Sequence, residues 1–198
     1  LTPQPPMGTG DLSFSAPHEL ALAQALGLPQ VDGLVPWAAL HAQDEQDACA
    51  FISPCHWRTA THNISMAALR ADEMDEAESR QLLAAMQPYF ETDGVTLHYG
   101  QPMRWLARGE VFRGLATASL DRVAGRNIEP WMPRGAQAAL LRRLQSEMQM
   151  LLYTHGVNEA REARRALPIN SFWISGTGAL PHGFVAKPTP LTDHRLGE

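Results

Sequence analysis

His155-Gly156-Val157-Asn158-Glu159-Ala160-Arg161, followed by Leu167-Pro168-Ile169-Asn170-Ser171-Phe172-Trp173 and then Gly176-Thr177-Gly178, is the passage on which the fold turns. It threads polar groups at fixed offsets through an otherwise apolar run. Just before it, Leu140, Leu141, Leu144, Met148, Leu151 and Leu152 recur at helical spacing, which predicts a helix over 135–154. A second helical stretch is expected to about Ala166. Pro168 ends it, since proline lacks the amide that a helix needs, and residues 169–175 then read as a strand.

Outward from this passage, helical and extended patterns alternate. Residues 17–28 predict a helix closed by Gly27 and Pro29, and residues 34–42 a short one with Pro36 in its first turn. Residues 48–54 and 62–66 read as strands, and 75–90 as a helix with Leu82, Leu83 and Met86 inward. Asp93-Gly94 marks a turn. Residues 95–99 and 103–107 read as a hairpin around Gly100-Gln101-Pro102, while 109–133 give no clear pattern. The alternation predicts an α/β fold: a single mixed sheet with helices on at least one face. A flexible arm is expected over 1–16, one α/β domain over 17–180, and a Pro-rich tail over 181–198. The first residue is Leu1 rather than Met, so a trimmed piece of a longer chain is expected.

The 198 residues carry 16 basic against 21 acidic side chains, a net charge of −5. That balance argues against nucleic acid or an anionic membrane surface as partner, although a few local arginines suffice for a small anion. No apolar run reaches the length of a membrane span, and no signal peptide is expected. Cys49 and Cys55 make no disulfide framework, so a reduced, cytoplasmic setting is expected.

Three clusters are candidate sites. His155, Asn158 and Arg161 could together hold a phosphate or carboxylate; equally, they could cap a helix end and tie it to the next strand. Arg126 and Asn127 lie beside Gly125 in a loop able to receive an oxyanion, or are a surface loop with local ion pairs. Cys55, His56 and His62 match no zinc spacing, and a Cys55–His56 nucleophile pair is disfavoured because neighbours on a strand face opposite ways. Asn170, on the last strand, needs partners if buried and is expected to lock His155 or Asn158 in place. No cofactor and no metal set is implied.

The pattern His155-x-Val157-Asn158-x-x-Arg161, Leu167-Pro168-x-Asn170 and Gly176-x-Gly178 resembles the late part of the inserted substrate domain of archaeal-type cofactor-independent phosphoglycerate mutases, of the alkaline phosphatase superfamily. It is more similar still to their bacterial relatives, the RpfE-type regulatory proteins, through Arg126-Asn127-Ile128, residues 144–152, Arg161-Glu162-Ala163-Arg164 and Pro168-x-Asn170-Ser171-Phe172-Trp173. Upstream, Pro17-His18-Glu19 with Leu26-Gly27 looks like the segment that carries the mutase nucleophile, and 33–37 like the loop after it. The resemblance covers most of residues 15–180.

The departures carry functional weight. The mutase serine lies four residues before the histidine that His18 resembles, where this chain has Phe14 between Ser13 and Ser15. The mutase Arg-Cys-Asn strand motif meets Ile52-Ser53-Pro54. The start and end of the two-metal core are not found in this sequence, and Gly156 replaces the proline of His-Pro-Val-Asn. The resemblance therefore implies a degenerate, non-catalytic regulatory or ligand-binding protein. Arg126, Asn127, His155, Asn158, Arg161 and Asn170 would line a site for a phosphorylated or carboxylate small molecule, or the chain would meet a protein partner. The alternatives are an active metal-dependent mutase or phosphatase, and an interaction module in which the shared motifs only hold the fold.

Overall fold

In the computed structural model, residues 12–187 are described, except 62 and 68. The chain order is α1 (Pro17–Leu26), α2 (Trp37–Ala42), β1 (Cys49–Cys55), β2 (Trp57–Ala60), β3 (Asn63–Met66), α3 (Glu76–Thr92), β4 (Thr96–Gln101), β5 (Arg104–Arg108), α4 (Leu120–Val123), α5 (Ala136–Tyr153), α6 (Gly156–Ala163) and β6 (Ser171–Gly178). The architecture is the expected α/β one, a central sheet with packed helices. Its four strands run in the order β4-β5-β1-β6. Each pairing is antiparallel. The strand expected over 62–66 is half of a separate two-stranded ribbon, β2 with β3. Its partner was not legible in Trp57–Ala60, whose side chains are mostly exposed and carry no alternation.

Period-two alternation divides the sheet into two faces. Ala50 and Ile52 of β1, Trp105 and Ala107 of β5, Leu97 of β4 and Phe172 and Ile174 of β6 form the inner face. Against it pack Leu82, Met86 and Phe90 of α3 and Leu141, Leu144, Met148 and Leu152 of α5, all at helical spacing. Helix α3 starts at Asp75, whose carboxylate accepts from the Glu78 amide (2.8 Å), while Glu78 accepts from the Asp75 amide (3.3 Å), a reciprocal cap. Trp105 is fully buried among these residues. Its indole N–H donates to Ser79 Oγ (2.8 Å), and Ser79 in turn donates to Pro102 O (2.7 Å).

The outer face is only partly covered. Cys49, Phe51 and Leu106 meet Leu20 and Ala23 of α1 and Ala38 and Ala39 of α2. Helix α2 has six residues, too few to span the sheet, and the uncovered part of this face becomes a cleft. Gly176, at φ 62°, lets β6 run close under α2: a Cβ there would come within 3.1 Å of both Phe51 and Trp37. Thus the Gly176-x-Gly178 motif has a packing cause.

Residues 1–11 of the expected arm and 188–198 of the expected tail lie outside the described residues. Next to them, the amides of Phe14 and Ser15 donate to the Asp32 carboxylate (3.0 and 2.7 Å), and the amide of Lys187 donates to Leu26 O (3.2 Å). No helix among the described residues is long and apolar enough to cross a membrane.

Candidate functional site

The polar residues of the motif have backbone partners. His155 is the N-cap of α6, and its Nδ1 accepts from the Val157 amide (3.2 Å). One turn later, Asn158 and Arg161 share the buried face of α6. Asn158, 4% exposed, donates through Nδ2 to Leu152 O (2.8 Å) and Ile169 O (2.7 Å), and accepts the Ile169 amide on Oδ1 (2.7 Å). Its amide therefore joins the end of α5 to the approach of β6. Arg161, 1% exposed, donates to Leu167 O (2.7 Å), Glu73 O (2.9 Å) and Glu78 Oε2 (3.1 Å). Arg164 meets the other oxygen of Glu78. Asn170 accepts from the Trp57 amide (2.7 Å) and donates to Trp57 O (2.9 Å). It thus ties β6 to the ribbon rather than locking His155 or Asn158.

The loop residues behave likewise. Asn127 Oδ1 accepts from the Glu129 amide (3.2 Å), and its backbone bridges to Ser65 of β3. Arg126 accepts the Met66 amide on its carbonyl (3.1 Å) and leaves its side chain exposed. Five of the six expected ligand-binding residues therefore have side chains engaged with backbone groups.

The hydroxyls flanking Phe14 are also engaged. Ser15 is buried, and its Oγ accepts from the Gly33 amide (2.8 Å). Ser13 Oγ accepts from Arg122. Phe14 packs on Gly33, where a Cβ would come within 2.9 Å of its ring. His18 sits on the surface 3.7 Å from Asp121. Cys55 and Cys49 are buried free thiols. Burial raises both, Cys49 to about 11, away from the thiolate form that a nucleophile needs. Burial lowers the pKa of His56, whose Nδ1 lies 2.8 Å from Pro168 O. His62 is outside the described residues. Among the described residues no group of three or more His, Cys, Asp or Glu is placed to hold a metal ion.

The concave feature is elsewhere, on the uncovered outer face of the sheet. A cleft of about 460 Å³ is lined by Trp37, Leu40 and His41 of α2, Phe51 and Ser53 of β1, Arg104 of β5, Ser175 and Gly176 of β6, and Ser119, Leu120, Asp121 and Glu19. That volume is within the range of small-molecule sites, roughly 300–1,000 Å³. None of the six motif residues lines it. His41 meets Phe51 edge to face, with ring centroids 5.6 Å apart. The Arg104 guanidinium lies 4.9 Å from the centre of the same ring.

Arg104 and Arg108 share a strand and a face but differ in their partners. Arg108 donates to Asp44 Oδ2 at 2.8 Å. Arg104 has its aromatic shelf and, among the described residues, no carboxylate or carbonyl accepting from it. Ser119 Oγ, on the same cleft, is buried without a hydrogen-bond partner among the described residues. A half-buried guanidinium without a counter-ion, beside an unsatisfied hydroxyl, is suited to an oxyanion.

Asp44 provides a pH test of the paired cation. Hydrogen bonds from the Asp47 amide and from Arg108, with a smaller one from the Gln46 amide, hold its carboxyl at about 2 against an ordinary 3.8. A depressed acid contributes stability above its unfolded pKa and loses it as pH falls through the folded one. Asp44→Asn is expected to cost about 1 kcal/mol at pH 7, a modest figure because the pair is near solvent. Melting curves at pH 7 and at pH 2 check it: the gap between wild type and variant should narrow over that fall, and a constant gap would refute the assignment.

The sequence reading missed the cleft. Met103–Ala107 was legible as a strand, and its alternation placed Trp105 and Ala107 inward. Nothing in the local sequence singles out Arg104, because its lack of a carboxylate partner depends on long-range packing.

No protein-family model matches the chain, and no curated protein matches it. Among solved structures, a cofactor-independent phosphoglycerate mutase from Thermoplasma acidophilum DSM 1728 superposes with a TM-score of 0.50 at 18% identity, over 68% of this chain and 38% of that one. The chain thus spans about two fifths of that enzyme's length, and in fold it is distantly similar to a phosphoglycerate mutase domain.

Proposed function

We propose that this chain is a non-catalytic, phosphoglycerate-mutase-like protein of the RpfE-type regulatory kind. In this reading it binds a small phosphorylated or carboxylate ligand in the outer-face cleft. The observation that carries the proposal is Arg104, a guanidinium without a counter-ion at the floor of a cleft of ligand size. Phosphoryl transfer needs an activated nucleophile and stabilisation of charge on the transferring group. The candidate hydroxyls of Ser13 and Ser15 are held by Arg122 and by the Gly33 amide. The motif residues keep the scaffold: Asn158, Arg161 and Asn170 fix β6, and β6 supplies Ser175 and Gly176 to the cleft.

Titration calorimetry with 3-phosphoglycerate tests the anion site. Saturable binding is expected to weaken about tenfold in Arg104→Gln, the scale of one charge-assisted hydrogen bond, and to be unchanged in Arg126→Ala. Binding lost in Arg126→Ala but kept in Arg104→Gln would return the site to the loop. Absence of 3-phosphoglycerate binding by the wild type would overturn the phosphorylated-ligand form of the reading and leave only a simple carboxylate.

A further inference from the structure

The cleft has a neighbour across Ser53 and Leu120. A second cavity of about 230 Å³ shares Ser53 and Leu120 with it and is otherwise lined by Pro54, Cys55, Met66, Ala67, Leu69, Met103 and Ala124. Apart from Ser53, these side chains carry no charged or oxygen-bearing group.

The sequence explains why this space exists. The pairing of β5 with β1 ends at Ile52–Trp105, while β6 continues alongside β1 as far as Cys55. Asn170 donates its amide to Cys55 O (3.2 Å), so the backbone of Cys55 faces β6. The nitrogen of Pro54, one residue earlier, therefore faces the other way, where β5 would continue. Proline has no amide to offer there, and the ladder stops. Side chains rather than a strand surround the gap. Two of them are methionines, which adapt to the shape of what enters. Leu120, on the wall common to the two cavities, is 39% exposed.

Charge limits what the first compartment can take. Arg104 supplies one positive charge, Arg108 is neutralised by Asp44, and Glu19 and Asp121 also line the cleft. A single positive charge in a cleft with two carboxylates suits a monoanion better than a dianion. Together the two compartments present a cationic, aromatic-floored end and an apolar end, with Ser53 between.

The geometry points to an amphipathic monocarboxylate as the ligand: its carboxylate on Arg104, its hydrocarbon tail passing Ser53 and Leu120 into the Met66–Leu69–Met103 cavity. This deepens the reading of the cleft as an anion site and rests on it. Each methylene that leaves water tightens binding about three- to fourfold, so affinity should climb with chain length until the apolar cavity is filled.

The test is calorimetry on the whole chain with butyrate, decanoate below its micelle concentration, decan-1-ol and 3-phosphoglycerate. Decanoate is expected to bind at least about tenfold tighter than butyrate and than decan-1-ol. Arg104→Gln should weaken decanoate about tenfold and leave decan-1-ol unchanged. Met103→Asp, near the mouth of the apolar cavity, should abolish the gain of decanoate over butyrate and leave 3-phosphoglycerate binding intact. Circular-dichroism melts of both variants confirm that they fold. Should either fail to fold, amide chemical shifts of the wild type decide: decanoate must shift Arg104 and Ser175 together with Met66 and Leu69, and shifts confined to one group overturn the proposal. If 3-phosphoglycerate binds and decanoate binds no better than butyrate, the amphipathic ligand is refuted while the anion site stands. If neither anion binds, both readings fall.

Discussion

Arg161→Leu is expected to destabilise the chain by about 3–5 kcal/mol, the usual cost of leaving one member of a buried ion pair without the other. Arg161 is buried to 1% exposure, and its guanidinium serves three elements at once: Leu167 O before β6, Glu73 O before α3, and Glu78 in the first turn of α3. Removing it orphans two carbonyls and takes from the Glu78 carboxylate one of its two arginine partners. Arg164 still reaches Glu78 from the surface, which keeps the loss toward the lower end of that range. The double variant Arg161→Leu/Glu78→Leu should recover part of it, because the buried carboxylate that lost its buried partner is then gone. Urea-unfolding midpoints of wild type, single and double variants measure this. A loss below about 1 kcal/mol for the single variant would mean that Arg161 is free for a ligand after all.

Asn158→Ala is expected to cost about 3 kcal/mol, or roughly 10 °C in melting temperature for a chain of this size. The side chain makes three hydrogen bonds at 2.7–2.8 Å, all to backbone groups of Leu152 and Ile169; alanine takes the side-chain partner from both Ile169 groups and leaves Leu152 O with backbone amides alone. Asn158→Asp should be nearly as damaging. It keeps an acceptor for the Ile169 amide but sets a carboxylate against two carbonyl oxygens, Leu152 O and Ile169 O. Thermal melts followed by circular dichroism check both. In contrast, Arg126→Ala, on an exposed side chain, should move the melting temperature by no more than about 1–2 °C.

Much of this architecture was legible because it follows from local rules. The spacing of Leu141, Leu144, Met148 and Leu152 gave α5. Pro168 marked the end of the helical stretch before β6, and the alternation around Trp105 gave β5. The antiparallel ribbon was half legible: β3 was predicted, whereas β2 is set by pairing across a turn and by Asn170 holding Trp57 from 113 residues away. The candidate cluster admitted two readings for a physical reason. A cluster such as His155, Asn158 and Arg161 has the same composition whether its donors face a ligand or backbone carbonyls. Only the neighbours decide, and here Ile169, Leu167 and Glu73 occupy those donors. Conversely, nothing local distinguishes Arg104 from Arg108. The difference is Asp44, which folds back onto one of them and not the other.

The central claim is that a phosphoglycerate-mutase-like scaffold persists here and binds a ligand without turning it over. Phosphorus-31 NMR of 3-phosphoglycerate incubated with the purified chain and manganese tests it most directly. The account predicts a spectrum that retains the starting resonance alone, broadened or shifted by binding at most. Growth of a 2-phosphoglycerate or inorganic phosphate signal at a rate proportional to protein concentration would contradict it.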